Sequence, residues 1–347
     1  MTTTTTNGEE TWVNPMVYGD ITPRYGKYCA KGFLKRAVKE TIVDKFAQRA
    51  DIPKNHAQMI EFRRYKPLAR VTSPLTEGVT PAGQRMQAEI IQAPIYQYGG
   101  VVEFTDRIID THEDPFLNET VKALGEQAGE SLEAIKIAIL KTCTNQYFAG
   151  GTSKATVSSK VTKPFLRLIN RSLKRNLAKQ ITSILHAGSK ISTEAVGASY
   201  ILMGHTDLET DFREIPGFLP VEKYGDFKPV SQYEIGKVEN FRILLTTMFE
   251  PDLATGASGT TLLSGGDIPG SSAAADVYPL IAVGRDAYSF TQLAGEHAAV
   301  VSVANPKHTA EDPLAQRGAA GWKTWQGGCI LQDLWMGVAW VGCSATY

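Results

Sequence analysis

The sequence predicts an α+β fold in which helices and strands are mixed along the chain. Three observations lead to this class: helical apolar spacing over residues 115–148, a second helical pattern over 165–186, and short strand-like runs between 199 and 341. The chain has 347 residues, of which 43% are hydrophobic and 21% are charged. A globular chain of this length and composition forms two or more compact units.

The beginning of the chain is irregular and strongly basic. Residues 1–25, a Thr run followed by Pro and Gly, predict an extended arm, and residues 32–49 predict a short amphipathic helix. Between residues 21 and 70 there are 13 Lys or Arg and 4 acids, although the whole chain has 36 of each sign. Because a nucleic-acid-binding domain is usually basic throughout, the neutral total argues against a dedicated one.

A long hairpin is predicted over residues 61–106. Two extended segments, 62–72 and 87–98, flank a polar tip at 73–86 and each contain a proline, which favours edge strands because proline cannot donate to a strand ladder. An isolated two-stranded ribbon is marginally stable in water. We therefore expect the ribbon to lie on a surface that a monomer does not supply, which is a first indication of assembly.

The clearest helix is predicted for residues 115–148. Asp114 suits the N-cap, Pro115 suits the first helical position, and the glycines at 150 and 151 end the pattern. Acids crowd its first half and Lys136 and Lys141 its second, in the order that the helix dipole favours. The predicted apolar stripe consists of Leu117, Val121, Leu124, Ala128, Leu132, Ile135, Ile139 and Cys143.

The second predicted helix begins a sequence of alternating charge blocks. It covers residues 165–186, with Gly188 as its cap and a basic outer face. Residues 134–193 contain 11 Lys or Arg and no acid, whereas residues 206–239 contain 8 acids and 4 bases. Two interpretations remain open: a solvated surface, or complementary edges between identical subunits.

The remaining chain predicts strands separated by one long loop. The loop covers residues 251–275, which are rich in Gly, Ser, Ala and Thr. The predicted strand regions are 199–204, 234–248 with a turn at 239–240, 278–284, 298–303 and 329–341.

No motif for catalysis, phosphate binding or metal binding is found in the sequence, so we predict neither an enzyme nor a cofactor or metal site. The adjacent residues 112–114 (His-Glu-Asp) favour helix capping over metal binding. His205 and Asp207 could form a dyad, but no nucleophile motif accompanies them, which favours a structural role. The cysteines are far apart and indicate reduced thiols.

No targeting or membrane segment is predicted. The N-terminus lacks the basic start and apolar core of a secretory signal. The most apolar late stretch, residues 330–342, is shorter than the about 20 residues of a membrane span. We therefore expect no membrane partner.

Seven segments, taken together and in order, carry a family resemblance. They are SPLTEGVTPAGQ (73–84), DPFL (114–117), GEQAGESL (125–132), GFLPVEKYG (217–225), EIGKVENFRILLT (234–246), DVYPLIAVGRDAYSF (276–290) and EDPLAQRGAAGWKTW (311–325). The chain in this respect resembles the major capsid proteins of podovirus-type tailed bacteriophages, which adopt the Hong Kong 97-type capsid fold.

The resemblance implies five segments with distinct positions in that fold. They are an N-terminal arm (1–60), an extended E-loop hairpin (61–106), a P-domain with a long spine helix (107–160), an A-domain (161–285) and P-domain return strands (286–347). At the E-loop tip, an intersubunit contact is expected from Thr76, Glu77, Gln84 and Arg85.

The resemblance also implies the function. The chain is expected to be a structural subunit of an icosahedral virion capsid, made in the host bacterial cytoplasm, that self-assembles into hexamers and pentamers around double-stranded DNA. The expected partners are copies of itself, a separate scaffold, a portal protein, a decoration protein and non-specifically bound packaged DNA. The basic arm, with Lys31, Lys35, Arg36 and Lys39, either faces DNA or pairs with acids of a neighbouring subunit.

Two other functions remain open from the sequence. An encapsulin-like nanocompartment shell would share the fold, and genome neighbours would distinguish it from a capsid. A hydrolase with an unrecognised site would instead show a deep, polar, titratable pocket.

Overall fold

The computed structural model describes residues 42–111 (apart from 76, 79 and 82), 116–185, 193–224, 229–265, 268–269, 274–293, 300–308 and 312–345. The helices are α1 (Asp106–Thr111), α2 (Phe116–Lys141), α3 (Lys163–Arg175) and α4 (Glu209–Arg213). The strands are β1 (Gln48–Ile52), β2 (Met59–Tyr65), β3 (Ala88–Thr105), β4 (Gln146–Phe148), β5 (Ile181–Leu185), β6 (Thr193–Gly204), β7 (Leu219–Pro220), β8 (Glu234–Val238), β9 (Phe241–Leu245), β10 (Leu263–Ser264), β11 (Ile268–Pro269), β12 (Tyr278–Val283), β13 (Tyr288–Leu293), β14 (Val300–Ala304), β15 (Arg317–Ile330) and β16 (Met336–Val341). Short 3-10 turns lie at Val43–Phe46, Lys154–Thr156, Thr206–Leu208, Val221–Lys223 and Asp333–Trp335.

The described residues form two compact units. The smaller unit draws on residues 97–131 and 300–325, and the larger unit takes the rest of the described chain. Strands β3 and β15 and helix α2 each contribute residues to both units.

An eight-stranded mixed sheet is the centre of the larger unit. Its strand order is β4-β16-β12-β6-β9-β8-β7, with β5 paired to β6. Strand β6 runs parallel to β9 and antiparallel to β12, and β16 runs parallel to β4. The sheet therefore joins strands from three of the five segments predicted from the sequence.

Helices cover both faces of this sheet. Successive residues of a strand point to opposite faces, so Ile201 and Met203 of β6 share a core cluster with Ile137 and Leu140 of α2. Tyr200 and Leu202 lie in the other cluster with the α3 residues Leu166, Ile169 and Leu173. The sheet is thus buried on both faces, which explains why β9, β12 and β16 are buried along their whole length.

A second sheet has the strand order β1-β13-β15-β3-β2, with β14 beside β15. Strand β1 runs parallel to β13, and β13 is antiparallel to β15. Gly327 of β15 lies so close to the backbone that an added Cβ would be 2.1 Å from the Pro94 carbonyl oxygen. A glycine is required at this position by the approach of the two strands.

The smaller unit has its own apolar core. Its buried members come from β3, the helices α1 and α2, and β15: Phe104, Ile108, Leu124, Ala128, Ala320 and Trp322. The indole N–H of Trp322 donates to Gln127 at 3.1 Å. The first half of α2 is therefore fixed by packing and by a hydrogen bond from the same tryptophan.

Helix α2 confirms the predicted long helix but is shorter than predicted. It ends at Lys141, where tighter backbone bonds from Thr142 and Cys143 close the last turn. Residues 146–148, predicted as helix, instead form β4 beside β16. The helix is about 39 Å long at about 1.5 Å per residue, and not the length that an end at residue 148 would give.

The buried face of α2 also differs in its second half from the predicted stripe. Leu124, Ala128, Leu132 and Cys143 are buried as predicted. Ile135 and Ile139 are only partly buried. Their places are taken by Glu133, Lys136, Ile137 and Leu140, two of which are charged.

The second predicted helix is correct only in its first half. Helix α3 ends at Arg175, and residues 181–185, predicted as helix, form β5. Gly188 therefore does not cap this helix, since Leu177 occupies the left-handed position after its end. The predicted cap at 188 and the residues 112–115, including the predicted Asp114 cap, lie outside the described residues.

The predicted N-terminal helix over 32–49 is wrong in its described part. Residues 43–46 form a single 3-10 turn and residues 48–49 belong to β1. Residues 32–41 lie outside the described residues. The apolar spacing that favoured a helix instead buries Ile42, Val43 and Phe46 in the core of the larger unit.

The predicted strands between 199 and 303 are confirmed, including the turn at residues 239–240 between β8 and β9, where Glu239 has a φ of 52°. Residues 333–335, within the predicted strand region 329–341, instead form a 3-10 turn between β15 and β16. In the predicted hairpin, β2 ends at residue 65 and not at 72, and β3 lies between β2 and β15 and is therefore not the predicted edge strand. The loop over 251–275 contains the short pair β10–β11 and is more ordered than predicted. The buried carboxylate of Asp276 accepts hydrogen bonds from the backbone N–H groups of Ala254 and Gly265. This carboxylate holds two parts of the loop together.

Truncating Leu124 should destabilise the smaller unit. Leu124 is buried in its core, so Leu124→Ala should lower the free energy of unfolding by roughly 2–5 kcal/mol. Lys122 is exposed, and its one ion pair among the described residues is the i,i+3 pair with Glu119, so Lys122→Ala should change stability by less than about 1 kcal/mol. Denaturant unfolding and soluble yield measure both; equal losses for the two variants would show that the stripe is misassigned.

Candidate assembly interface

Strands β2 and β3 form an antiparallel ribbon with one partly sheltered face. On that face Phe62 is opposite Ile91 and Ile60 is opposite Ala93. These side chains are partly or fully buried, whereas those of the other face, such as Tyr65, are exposed. The alternation is that of a ribbon with one side on a surface and one side free.

Beyond the last strand pair, the hairpin has no sheltered face. Every described residue from 65 to 88 is exposed. The two arms are joined by a backbone bond from Lys66 to the Gln87 carbonyl at 2.8 Å. The Gln84 amide adds a bond to the Ala69 carbonyl at 3.3 Å. This part of the chain therefore has hydrogen bonds between its arms but no core of its own.

The predicted tip residues have different positions in this hairpin. Thr76 lies outside the described residues. Glu77 and Arg85 are exposed, and Arg85 lines a shallow groove between the arms together with Lys66 and Gln87. Gln84 lines the same groove but holds the two arms together, so it has a role within the chain that the sequence did not predict.

The hairpin carries an excess of exposed apolar side chains. Of the sixteen large apolar side chains that are exposed in the described residues, eight lie between residues 59 and 96. They are Met59, Tyr65, Leu68, Val71, Leu75, Met86, Ile90 and Tyr96. An exposed apolar surface of this kind marks a contact site in a folded protein.

One ion pair braces the base of the hairpin. Arg64 and Glu89 are opposite each other in the ribbon and lie 2.7 Å apart. The hydrogen bond and the charge of Arg64 lower the pKa of Glu89 below its ordinary value. Arg64 also donates to the Leu331 carbonyl at 3.3 Å, which ties the ribbon to the segment after β15.

The predicted basic arm residues Lys31, Lys35, Arg36 and Lys39 lie outside the described residues.

The described chain begins at Ile42, where a buried carboxylate holds it. Glu133 of α2 accepts the backbone N–H groups of Ile42 at 2.7 Å and of Val43 at 2.9 Å. Burial raises the pKa of the Glu133 carboxyl, against the opposing effect of these two bonds.

Further contacts secure the same segment. The Lys136 ammonium, which is buried, lies 2.6 Å from the Asp44 carboxylate. The Tyr288 hydroxyl donates to the Val43 carbonyl at 2.7 Å. The sequence suggested only a dipole effect for the charges of α2, and their role as a clamp on residues 42–44 was missed. The one signal was that Glu133 and Lys136 share a helix face with Ile137 and Leu140.

The charge blocks pair partly within the chain. Lys160 contacts Asp211 and Glu214 at 3.2 and 2.6 Å. Arg167 of α3 contacts Glu239 at 2.9 Å. The basic block and the acidic block are therefore complementary, and several of these pairs are already made inside one subunit.

His205 and Asp207 lie together, as the sequence suggested. The His205 ring accepts the backbone N–H of Asp207 at 3.2 Å, and the Tyr278 hydroxyl donates to the Asp207 carboxylate at 2.8 Å. The Cys343 thiol lies 3.3 Å from the Asp207 carbonyl, a proximity that no motif indicated. Burial raises the pKa of this thiol to about 12, so little thiolate exists at neutral pH to act as a nucleophile.

The described parts of the chain contain no group of three side chains that could hold a metal ion. No described helix is both long and apolar enough to cross a membrane. The described cysteines, Cys143, Cys329 and Cys343, are free thiols, and Cys29 lies outside this part of the chain.

Comparison with known proteins gives one family and many similar folds. The family described as phage capsid protein matches residues 88–341. No curated protein matches the sequence. The capsid of Ralstonia phage GP4 is similar over 95% of this chain and 99% of that chain, with a TM-score of 0.65 and 11% identity.

Two further solved structures illustrate the same likeness. The capsid of Cyanophage P-SCSP1u covers 92% of this chain and 94% of its own, with a TM-score of 0.56 and 13% identity. The head structure of Helicobacter pylori bacteriophage KHP40 covers 94% and 96%, with a TM-score of 0.54 and 12% identity. At these identities the likeness is one of fold.

Removing the Glu133 carboxylate should destabilise the beginning of the described chain. Glu133→Ala leaves two buried N–H groups without an acceptor, so the free energy of unfolding should fall by roughly 2–6 kcal/mol at about 1–3 kcal/mol for each. Glu133→Gln keeps an oxygen acceptor and should lose less. Denaturant unfolding measures the free energy of unfolding of the wild type and the two variants. An alanine variant as stable as the glutamine variant would contradict the proposed role of the carboxylate as an acceptor.

The same carboxyl predicts a pH dependence. Because the pKa of Glu133 is raised in the folded chain, the folded state binds this proton more tightly than the unfolded state. The resulting stability is fully present below the unfolded pKa and is lost as the pH rises through the folded pKa. Relative to Glu133→Gln, the wild type should lose stability as the pH rises above the ordinary glutamate range; parallel stability curves would refute this.

Proposed function

The chain belongs to the phage capsid protein family, and we propose that it builds an icosahedral shell of hexamers and pentamers around double-stranded DNA. The observation that carries this proposal is the hairpin between residues 65 and 88. Its described side chains are all exposed, and many of them are apolar. Such a hairpin gains a core only by lying on another copy of the chain.

The five segments predicted from the sequence supply the parts of this shell subunit. We assign the hairpin within 61–106 as the E-loop, α2 within 107–160 as the spine helix, and 161–285 as the A-domain. Residues 286–347 return to the P-domain and 1–60 form the N-terminal arm. In support, α2 is the longest described helix, and the clamp of Glu133 and Lys136 fixes residues 42–44, which lie within the assigned arm.

The role is proposed to be structural rather than enzymatic, and the location is the virion after synthesis in the host cytoplasm. The Cys343 thiol beside Asp207 is buried and protonated at neutral pH, which argues against the hydrolase. An encapsulin-like shell shares the fold, and the family match favours the capsid.

The proposed partners of the shell subunit are a separate scaffold, a portal protein, a decoration protein and packaged DNA. The four arm residues Lys31, Lys35, Arg36 and Lys39 are candidates for the contact with DNA, because phosphates attract Lys and Arg without regard to sequence. The other proposal for them is a contact with acids of a neighbouring subunit.

Deleting residues 73–86 should leave a folded subunit that does not form closed shells. The deleted residues lie beyond the last strand pair and outside every core cluster, so the subunit should keep its unfolding transition. Electron microscopy and sedimentation of the expressed protein measure assembly.

A matched control replaces residues 73–86 by a Gly-Ser segment of the same length. If the side chains of the tip make the contact, the control should fail to assemble as the deletion does. Closed shells of wild-type appearance from the deletion variant would refute the proposed role of the hairpin.

Neutralising the four arm residues together separates the two proposals for the arm. If the partner is DNA, the variant should form shells but retain less packaged genome than the wild type. If the variant fails to assemble even without DNA, the arm is a clamp between subunits and the DNA contact is wrong. Neutralising four exposed lysines outside the arm is the matched control: Lys122, Lys223, Lys307 and Lys323.

A further inference from the structure

The end of helix α3 has a leucine at the left-handed position, where glycine is the most common residue. The helix closes with a Schellman motif, in which Ala178 donates to the Leu173 carbonyl at 3.0 Å and Leu177 donates to the Lys174 carbonyl at 3.1 Å. Leu177 has a φ of 57°, in the left-handed region. Glycine is favoured at this position because a Cβ atom is strained there.

The side chain of Leu177 is also the most exposed of the large apolar side chains that the structure describes, at 80%. Leu177 is therefore unfavourable to the single subunit in two independent ways, through its backbone and through its contact with water. A glycine would remove both. Strained, exposed residues of this kind are found where a contact outside the chain makes use of them.

A second exposed leucine lies beside the first. The Asn176 amide donates to the Leu334 carbonyl at 3.4 Å, and the Trp335 indole donates to the Asn176 carbonyl at 3.1 Å. These bonds hold the turn Asp333–Trp335 against the end of α3. Leu334 is 50% exposed, so the segment held against the end of α3 carries a second exposed leucine.

Four exposed basic side chains lie within six residues of Leu177 along the chain. The exposed bases are Arg171, Lys174, Arg175 and Lys179. Unlike Arg167, which contacts Glu239, none of the four has an ion pair among the described residues. The end of α3 therefore combines two exposed leucines with four unpaired positive charges among the described residues.

The chain itself carries the complementary charge. Residues 97–131 contain 8 acids and 2 bases. Within the described residues, the acids Glu103, Asp106, Asp110 and Glu130 of this stretch have no ion pair with a base. A second copy thus offers carboxylates to the bases at the end of α3.

We propose that the end of α3, with Leu177, Leu334 and the four bases as its rim, is a contact surface for a second copy of this chain. The proposal rests on the function proposed above, because the contact is one between shell subunits. DNA would neutralise the bases but would leave both leucines in water, so the apolar centre favours a protein. A contact between two different faces of identical chains closes into rings when its rotation allows.

The test uses substitutions that should affect assembly and the single subunit in opposite directions. Leu177→Gly and Leu177→Asn both suit the left-handed position, so unassembled subunits should unfold at a temperature equal to or above that of the wild type. Their shells should need a protein concentration higher by on the order of tenfold, because the apolar contact is lost. Ala254→Gly is the matched control: Ala254 is also exposed with a positive φ of 49°, and it should assemble as the wild type does.

Charge reversal tests the rim. Lys174→Glu with Arg175→Glu should weaken assembly at low salt, and Glu103→Lys with Asp110→Lys should weaken it likewise. All four changes in one chain should restore assembly, since the charges again match. Lys223→Glu with Lys307→Glu changes the net charge equally at exposed sites elsewhere and is the control.

The outcomes separate this proposal from the proposed function. If the wild type forms no shells under any condition, the proposed function fails. If the wild type forms shells and both Leu177 variants form them at the same concentration, this contact is overturned while the proposed function stands. Failure of the four changes to restore assembly overturns the acidic surface as the partner.

Discussion

The hairpin between residues 65 and 88 sets the constraint on which the rest of the chain depends: two extended arms cannot bury their own side chains. Beyond the strand pair of Tyr65 and Ala88, the described residues of the two arms are joined by a backbone bond from Lys66 to the Gln87 carbonyl and by the Gln84 amide on the Ala69 carbonyl. Neither contributes an apolar core, and each hydrogen bond adds only about 1 kcal/mol. The hairpin nevertheless carries Leu68, Val71 and Leu75 in water.

A chain that keeps such a surface has to be stable without it, and the two helix-covered faces of the eight-stranded sheet supply that stability. The folded subunit and the assembled shell are thus built from different residues.

Whereas the hairpin exposes apolar side chains, the beginning of the described chain is held by buried charged side chains. Glu133 and Lys136 occupy a face of α2 that would otherwise be apolar, and they hold residues 42–44 through two backbone bonds and one ion pair. Burying a carboxylate is unfavourable in itself, as the raised pKa of Glu133 reflects. Apolar side chains at these positions would pack as well but would fix neither the register nor the direction of the incoming segment. We infer that the charges were retained for that geometry, which fixes residues 42–44 against α2.

The sequence predicted correctly the helices and strands that depend on local residue patterns. It failed for those that depend on contacts with residues far away in the chain. The first half of α2, the strands β6, β9, β12 and β16, and the turn at Glu239 follow from periodicity and turn chemistry. The α+β capsid fold itself, predicted from seven short segments, is confirmed by the family match and the similar structures. The end of α2 could not be predicted, because residues 146–148 become a strand only through pairing with β16, almost two hundred residues later. The burial of Glu133 depends likewise on Ile42 and Val43, about ninety residues earlier. Among the predicted tip residues, Gln84 donates a hydrogen bond to the Ala69 carbonyl of the same hairpin. The sequence pattern could not predict this bond, because it does not give the distance between the two arms.

The second helix was predicted to run to residue 186, but α3 ends at Arg175. The reason for this difference also bears on the exposed Leu177. The residues Asn176, Leu177 and Ala178 include neither glycine nor proline, so the sequence predicted a helix that continues through them. The helix ends because other parts of the chain take the carbonyl groups that its next turn would use: Trp335 donates to the carbonyl of Asn176, and Tyr200 donates to the carbonyl of Ala178. Those bonds would form equally well around a glycine at 177, which would also relieve the backbone. Folding therefore explains why the helix stops there and does not explain why a leucine stands at the stop. The backbone conformation and the solvent exposure both favour glycine, and the tertiary hydrogen bonds do not depend on the side chain. The leucine therefore has to be explained by something that the single chain does not contain, and identical neighbours in a shell are the partners that every copy meets.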